Sequence, residues 1–478
     1  GFQGGDTPLL RQTSERHVLT ARLFLSSFAL CGVVACGTVP SYDALIEKHV
    51  SSTDHPKIAG AHGPLSTRQT KAILARLRAS DPNADILQRH LVIEQNVSGT
   101  PIVAGTRTRL LRDGRETFKA IFTAIRGASH HINLEYYIFE DVEVDGEHIV
   151  DLLIAKRASG VAVNIIYDSY GSGQTPAEVF TRLADAGVIL MEFRPLNPLK
   201  SISDYSINDR DHRKIMVVDG KIGIVGGVNL SKTYQSRIPG AKPPPGDAPE
   251  TWRDTDLEIR GPAVSQLQDL FLQHWEQQNG PTMDKALYYP AQQAIGYELV
   301  RIIGSSPDDP IPRYYVTLLS AMRSAEESIW ISAAYFVPTP DEKDELMEAA
   351  GRGIDVRLLL PAHSDSQLVL SVGQSHYSAL LKAGIKIYEH QDDILHSKTA
   401  VIDGVWSVVG SSNLDPRSIL FNDEVDAVVL GTSTGRALQE MFKDDQASAK
   451  QLDLESWSQR PLLRKLNELY SRIWESLL

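Results

Sequence analysis

His212 and Lys214, with Asp219 five residues beyond the lysine, recur as His396, Lys398 and Asp403. Both triplets read H-x-K-x4-D, and each Asp is followed by a glycine, Gly220 or Gly404. Further on come Gly226, Gly227 and Asn229 in one copy and Gly410, Ser411 and Asn413 in the other; each Asn stands 17 residues after its His. An imidazole can attack or carry a proton. An ammonium neutralises anionic oxygens, and a carboxamide donates to them as charge builds. Two such sets suit chemistry at a phosphate.

The elements that would position these groups are strands. The residues after each Lys are apolar and rich in β-branched types, which reads as a buried strand. His and Lys two residues apart then share a face. Asp-Gly between two apolar runs signals a two-residue hairpin turn. Closing the hairpins at Asp219-Gly220 and Asp403-Gly404 places His212 opposite Gly227, Lys214 opposite Val225 and His396 opposite Ser411. A small residue would then leave room beside each imidazole, with Asn229 and Asn413 on the same side. Asp219 and Asp403 fall in the turns and are expected to be structural.

This double pattern resembles the phospholipase D superfamily, and within it the bacterial cardiolipin synthases. Supporting stretches are Glu135-Tyr136-Tyr137-Ile138-Phe139, Trp252-Arg253-Asp254-Thr255-Asp256 and Ser411-Ser412-Asn413-Leu414-Asp415-Pro416-Arg417-Ser418. The resemblance implies an α/β fold of two tandem phospholipase D-like repeats. Each would be a mixed β-sheet flanked by helices, the pair packed about a pseudo-two-fold axis. It implies transfer through a phosphohistidine, with His212 as nucleophile and His396 as acid and base. Lys214, Lys398, Asn229 and Asn413 would hold the phosphoryl oxygens. An acid after each Asn would hold an imidazole: Glu424 in one copy and, by aligning the strands, Asp254 in the other. The near-identity of the two motifs leaves the assignment of nucleophile open. No metal or other cofactor is called for.

Around this centre the chain divides by composition and periodicity. Residues 1–36 form a signal-like segment whose apolar run, Leu23 to Ala35, leads to Val33-Val34-Ala35-Cys36-Gly37. That ending resembles a bacterial lipobox, with Cys36 the acylated residue. A helical extension covers 37–95, the first repeat 96–280, a linker 281–297 and the second repeat 298–440. Amphipathic helices take up 441–478, with Leu462, Leu466, Leu469 and Ile473 on one side of the last. Such a helix more commonly packs its apolar side on its own domain than lies on a membrane. Tyr136, Tyr137, Tyr335 and Phe336 either line a lipid entrance or pack in the core. Gly171-Ser172-Gly173 lacks the helix that follows a phosphate loop. Both cysteines precede the globular part, which excludes a disulfide framework there.

A net charge of −12 argues against a nucleic-acid partner and a nuclease. The expected partners are phospholipids, phosphatidylglycerol first, and a bacterial membrane surface, with a lipid anchor in the cell envelope. The expected reaction is phosphatidyl transfer giving cardiolipin. Hydrolysis to phosphatidic acid is the alternative.

Overall fold

The computed structural model describes residues 39–49, 56–80, 86–196, 208–235 and 251–477. Cys36 and the apolar run before it lie outside the described residues, as does the Pro-rich stretch 240–249.

Seven strands carry the first half: β1 (Ile102–Leu111), β2 (His131–Tyr136), β3 (Ala162–Asp168), β4 (Ile189–Phe193), β5 (Lys214–Val218), β6 (Ile222–Gly226) and β7 (Asp256–Arg260). Seven more carry the second: β8 (Glu298–Ser305), β9 (Ser328–Ala333), β10 (Asp355–Pro361), β11 (Lys386–His390), β12 (Lys398–Ile402), β13 (Trp406–Gly410) and β14 (Asn422–Leu430). The first half is ordered β4-β3-β2-β5-β6-β7-β1. The second is ordered β11-β10-β9-β12-β13-β14-β8. Strand for strand these orders are the same. β1 and β8 pair antiparallel and join the halves, so equivalent strands meet at a pseudo-two-fold. Within each half three strands run parallel through helical crossovers and the others are antiparallel, a mixed sheet.

The motif strands β5, β6, β12 and β13 read as continuous apolar runs because both faces are covered. One core cluster holds residues of both halves, including Ile215, Val217 and Val225 with Val409, Val425 and Ala427. Helices close the outer faces. The helix Gly114–Gly127 buries Phe118, Ile121, Phe122 and Ile125, and Asp113 caps its start by accepting from Glu116 N–H. The N-terminal extension packs on the second half, where Glu94 meets the Arg301 guanidinium at 3.3 Å in a buried pair.

The two motif hairpins differ from the sequence reading by one residue. Asp219 and Gly220 both take positive φ, and Lys221 N–H closes the turn on Val218 C=O. The ladder then resumes with Val218 opposite Ile222, leaving Lys221 as an extra residue. Ile215, not Lys214, therefore faces Val225. The second hairpin is shifted identically, with Thr399 opposite Val409. Such one-residue additions pin register in hairpins.

Both motif aspartates lie at these turns. Asp219 accepts from the backbone N–H groups of Ser129, His130 and His131 at 2.8–2.9 Å. Asp403 accepts from Glu326, Glu327 and Ser328 at 2.8–3.0 Å. Each carboxylate thus ties its turn to the start of β2 or β9. Burial raises the Asp219 carboxyl, but the hydrogen bonds from His131, His130 and Ser129 outweigh it and hold it below the usual value. Asp219→Asn turns an N–H donor toward other donors. It is expected to cost about 1–3 kcal/mol of stability while leaving turnover per folded molecule nearly unchanged. Denaturant melts alongside initial rates check this. Because the folded carboxyl is depressed, its stabilising effect is present above the unfolded pKa. It is lost as pH falls through the folded value, so the wild type's advantage over the variant shrinks in acid.

The last helix, Leu462–Ser471, corrects an expectation. It does not pack its apolar side on the domain: Glu468 and Ser471 are its buried residues, while Leu462, Leu466 and Leu469 are 70%, 51% and 64% exposed.

Candidate active site

Both histidines sit just ahead of β5 and β12, where the ladders end. A two-residue segment, Arg210–Asp211, pairs parallel with Asn422–Asp423 of β14, and His212 N–H donates to Asp423 C=O at 2.9 Å. In the other half, Trp252–Arg253 pairs parallel with Ile394–Leu395, and His396 N–H donates to Arg253 C=O at 2.7 Å. Each histidine is therefore mounted on backbone from the opposite repeat. The residue after each acceptor is an acid. His212 Nδ1 lies 3.0 Å from both carboxylate oxygens of Glu424. His396 Nδ1 lies 2.7 Å from Asp254 Oδ2. The acids are exchanged between the repeats.

The small residues of the motif serve these acids, not the imidazoles. A Cβ on Gly227 would strike the Asp254 carboxylate. Ser411 Oγ donates to Glu424 Oε2. Glycine stands where the shorter acid crowds the backbone, and serine where the longer acid accepts a hydroxyl.

One cavity of about 280 Å³ receives both halves. His212, His396, Asn229 and Asn413 line it, with Tyr137, Trp252, Tyr335, Arg210 and Arg417 on its walls. Tyr137 and Tyr335 thus face the cavity, whereas Tyr136 and Phe336 are buried in the core clusters. Gly171 also lines it: no phosphate loop is built there, but a Cβ would collide with Tyr137 C=O. Asp219 and Asp403 are not among the lining residues.

Lys214 and Lys398 are buried beneath the histidines. Lys214 Nζ donates to His212 C=O at 2.5 Å, and Lys398 Nζ lies 2.7 Å from His396 Nδ1 and 3.1 Å from its Nε2. Burial, with the Lys398 charge adding to it against Glu424, pushes Lys214 down to about 7. Burial also takes His212 down to about 4, against the opposing pull of Glu424. Glu424 is itself held low: burial raises it, but His212 and Lys214 outweigh that. Burial thus opposes the charged form of the His212 imidazole, while the Glu424 carboxylate favours it. For His396, burial and then the Lys398 charge press the imidazole well below its ordinary value. Burial lifts Asp254 to about 6. Neither lysine is among the cavity's lining residues, but an anion entering the cavity above them would favour the protonated forms of both histidines and both lysines.

The two asparagines are not equivalent. Asn229 accepts from Ile138 N–H at 3.1 Å and donates to Tyr234 Oη at 3.0 Å. Tyr234 Oη lies 3.2 Å from His396 Nδ1, so the first repeat's Asn reaches the second repeat's His through a buried phenol. Asn413 has a buried carboxamide oxygen with no hydrogen-bond partner among the described residues.

Two residues escaped the sequence reading. Tyr234 was hidden because its partner lies 162 positions away. Tyr234→Phe removes one hydroxyl from that chain; kcat is expected to fall about tenfold, the effect of one net hydrogen bond, with KM little changed. Steady-state kinetics at matched folded concentration tests this. Arg213 was the other. Its guanidinium reaches Glu135 at 3.3 Å, Asp423 at 3.2 Å and Ser305 C=O at 3.3 Å, locking the residue between His212 and Lys214 into the second repeat.

Glu135 also meets His274 at 2.8 Å, with Asp211 3.8 Å from that ring. The sequence reading found no such ligand cluster. These three groups lie close enough to share an ion, but Arg213 already supplies a cation there and none of the three lines the cavity.

Two H-x-K hairpins brought to one cavity by a two-fold pair of mixed sheets define a phospholipase D-like protein. The profile of the family described as "Cardiolipin synthase, PLD-like domain" matches residues 121–238 and 318–446. A cardiolipin synthase of Geobacillus sp. (strain WCH70) is 38% identical over 396 residues, spanning 81% of this chain and 76% of its own. Cardiolipin synthase 2 of Bacillus anthracis is 37% identical over 377 residues, spanning 78% and 71%. In fold, the chain is similar to the crystal structure of a phosphatidylserine synthase of Haemophilus influenzae Rd KW20. The TM-score is 0.60 at 13% identity, covering 80% of this chain and 98% of that one. The chain belongs to the cardiolipin synthase family.

Proposed function

We propose that this chain is a phosphatidyltransferase that joins two phosphatidylglycerols into cardiolipin and releases glycerol. The observation that carries the reading is the shared cavity, in which His212 and His396 face one space from opposite repeats. His212 is assigned as nucleophile. Its Nδ1 is held by both oxygens of Glu424 and burial opposes the ring's charged form, so Nε2 is the nitrogen left with a lone pair. His396 is assigned as acid and base, because Asp254, Lys398 and Tyr234 all crowd its Nδ1, at 2.7, 2.7 and 3.2 Å, and hold the ring.

In the first step His212 Nε2 bonds to phosphorus and the bond from phosphorus to glycerol oxygen breaks, with His396 giving that oxygen its proton. In the second, His396 takes the proton from a hydroxyl of a second phosphatidylglycerol. That oxygen bonds to phosphorus and the nitrogen–phosphorus bond breaks, restoring both rings. Lys214 and Lys398 neutralise the phosphoryl oxygens throughout, and Asn413 donates to them. The Asn229 carboxamide serves mainly to hold Tyr234. Asp219 and Asp403 hold the turns.

In this reading the repeats, 96–280 and 298–440, each contribute half the machinery across the linker 281–297. The aromatic wall of Tyr137, Tyr335 and Trp252 suits an acyl-glycerol entrance. The site works at a membrane surface, with Cys36 as the acylated anchor in a bacterial envelope. No helix among the described residues is long and apolar enough to cross a membrane. Incubation with phosphatidylglycerol vesicles tests the reaction. Cardiolipin with glycerol release is expected; phosphatidic acid alone would establish hydrolysis instead.

A further inference from the structure

We infer that the outward apolar side of the helix Leu462–Ser471 and the residues just after it is a docking surface for an anionic phospholipid bilayer. This deepens the reading above by naming how the catalytic domain, apart from its N-terminal segment, meets its substrate surface.

The helix is packed inside out. Positions 462, 466, 469 and 473 recur at three- and four-residue steps and share one face. Leu463 and Ile473 are 80% and 68% exposed, so the stripe continues past the helix end. The opposite, polar side is the one that packs. Glu468 accepts from Arg460 at 2.8 Å, Asn467 donates to Ser371 Oγ at 3.2 Å and Glu475 meets His376 at 3.2 Å. These bonds fix the rotation of the helix and hold its leucines outward. A patch of that kind on a protein surface marks a partner.

Charge selects which partner. From Arg460 to Glu475 the chain carries Arg460, Arg464, Lys465 and Arg472 against two acids, Glu468 and Glu475, within a protein of net charge −12. Arg464 and Arg472 lie 3.9 Å from Glu468 and 3.3 Å from Glu475, yet keep 45% and 49% of their side chains exposed. An apolar stripe bordered by cations is the pattern of a helix lying in the interface of an anionic membrane. Its position agrees. The helix Gln367–Lys382, which it packs on, begins at Ser366, next to the cavity-lining Asp365, and exposes Leu368 in its first turn. The bilayer surface and the cavity mouth are thus on neighbouring elements.

The test compares the full chain with Leu466→Glu/Leu469→Glu. Sedimentation with vesicles of phosphatidylglycerol and phosphatidylcholine should show partitioning reduced about tenfold or more, as expected for lost interfacial burial of two leucines. Leu463→Ser/Ile473→Ser, at more exposed positions, should act in the same direction with an unchanged melting temperature. Wild-type binding should fall when phosphatidylglycerol is replaced by phosphatidylcholine. Turnover of a short-chain, monomerically dissolved phosphatidylglycerol should be unaffected by either variant, while turnover on vesicles drops. Variants that partition like the wild type overturn the proposal. So does a change of oligomeric state or melting temperature with partitioning intact, which would assign the stripe to a second copy or to this chain's own N-terminal segment. Absence of turnover on both substrate forms would instead count against the transferase reading and leave the partition result standing.

Discussion

His212→Ala and His396→Ala are each expected to lower kcat by about a thousandfold or more, the scale of losing a nucleophile or a positioned acid. The two should fail differently. A phosphatidyl ester with a nitrophenol leaving group needs no proton on departure, so the first step can proceed without His396. The His396→Ala protein should release one nitrophenol per site in a burst and then stall, because no base activates the acceptor. The labelled phosphoryl group should remain on the protein. His212→Ala should give neither burst nor label. The reverse pattern would exchange the two roles. Bursts from both variants would falsify the shared site.

The second large effect concerns the exchanged acids. Glu424→Gln keeps a hydrogen-bonding group beside His212 but removes its charge, and Asp254→Asn does the same for His396. Each is expected to cost about 10²–10⁴ in kcat, since a lost carboxylate misorients the ring and destabilises its cationic form. The assignment across repeats is what the experiment resolves. Glu424→Gln should slow the burst with the nitrophenyl substrate, although Glu424 and His212 lie in different repeats. Asp254→Asn should spare the burst and slow later turnovers. The pH profile adds a sign. Glu424 raises the His212 pKa against the burial that holds it near 4, so its neutralisation should move the acid limb of the burst rate lower. Additional loss from Glu424→Gln in a His212→Ala background should be small, because groups that act as a unit are non-additive. Equal slowing of the burst by both acid variants would contradict the exchange.

Local chemistry was legible in the residues themselves. Apolar β-branched runs marked β5, β6, β12 and β13, because a strand buried on both faces needs no alternation. Asp-Gly marked both turns, because a left-handed residue followed by glycine is inexpensive there. Repetition of six matching positions at one spacing disclosed a two-fold site. The exact register was not legible. Lys221 and Val405 each add a residue after the turn, and nothing in a local pattern distinguishes a two-residue from a three-residue connection between two continuous apolar runs.

What only the tertiary structure decided is which half serves which. Glu424 stands 212 positions from His212, and Asp254 stands 142 from His396. Those partnerships arise because a short strand of each repeat pairs with the other repeat's strand, a contact set by how two sheets pack and not by neighbouring residues. The direction of the last helix was decided in the same way. Its amphipathic period is written in its own residues, but Glu468, held by Arg460, turned the polar side inward. Periodicity gives a helix two faces; the ion pair and hydrogen bonds of the surrounding fold choose the one that is covered.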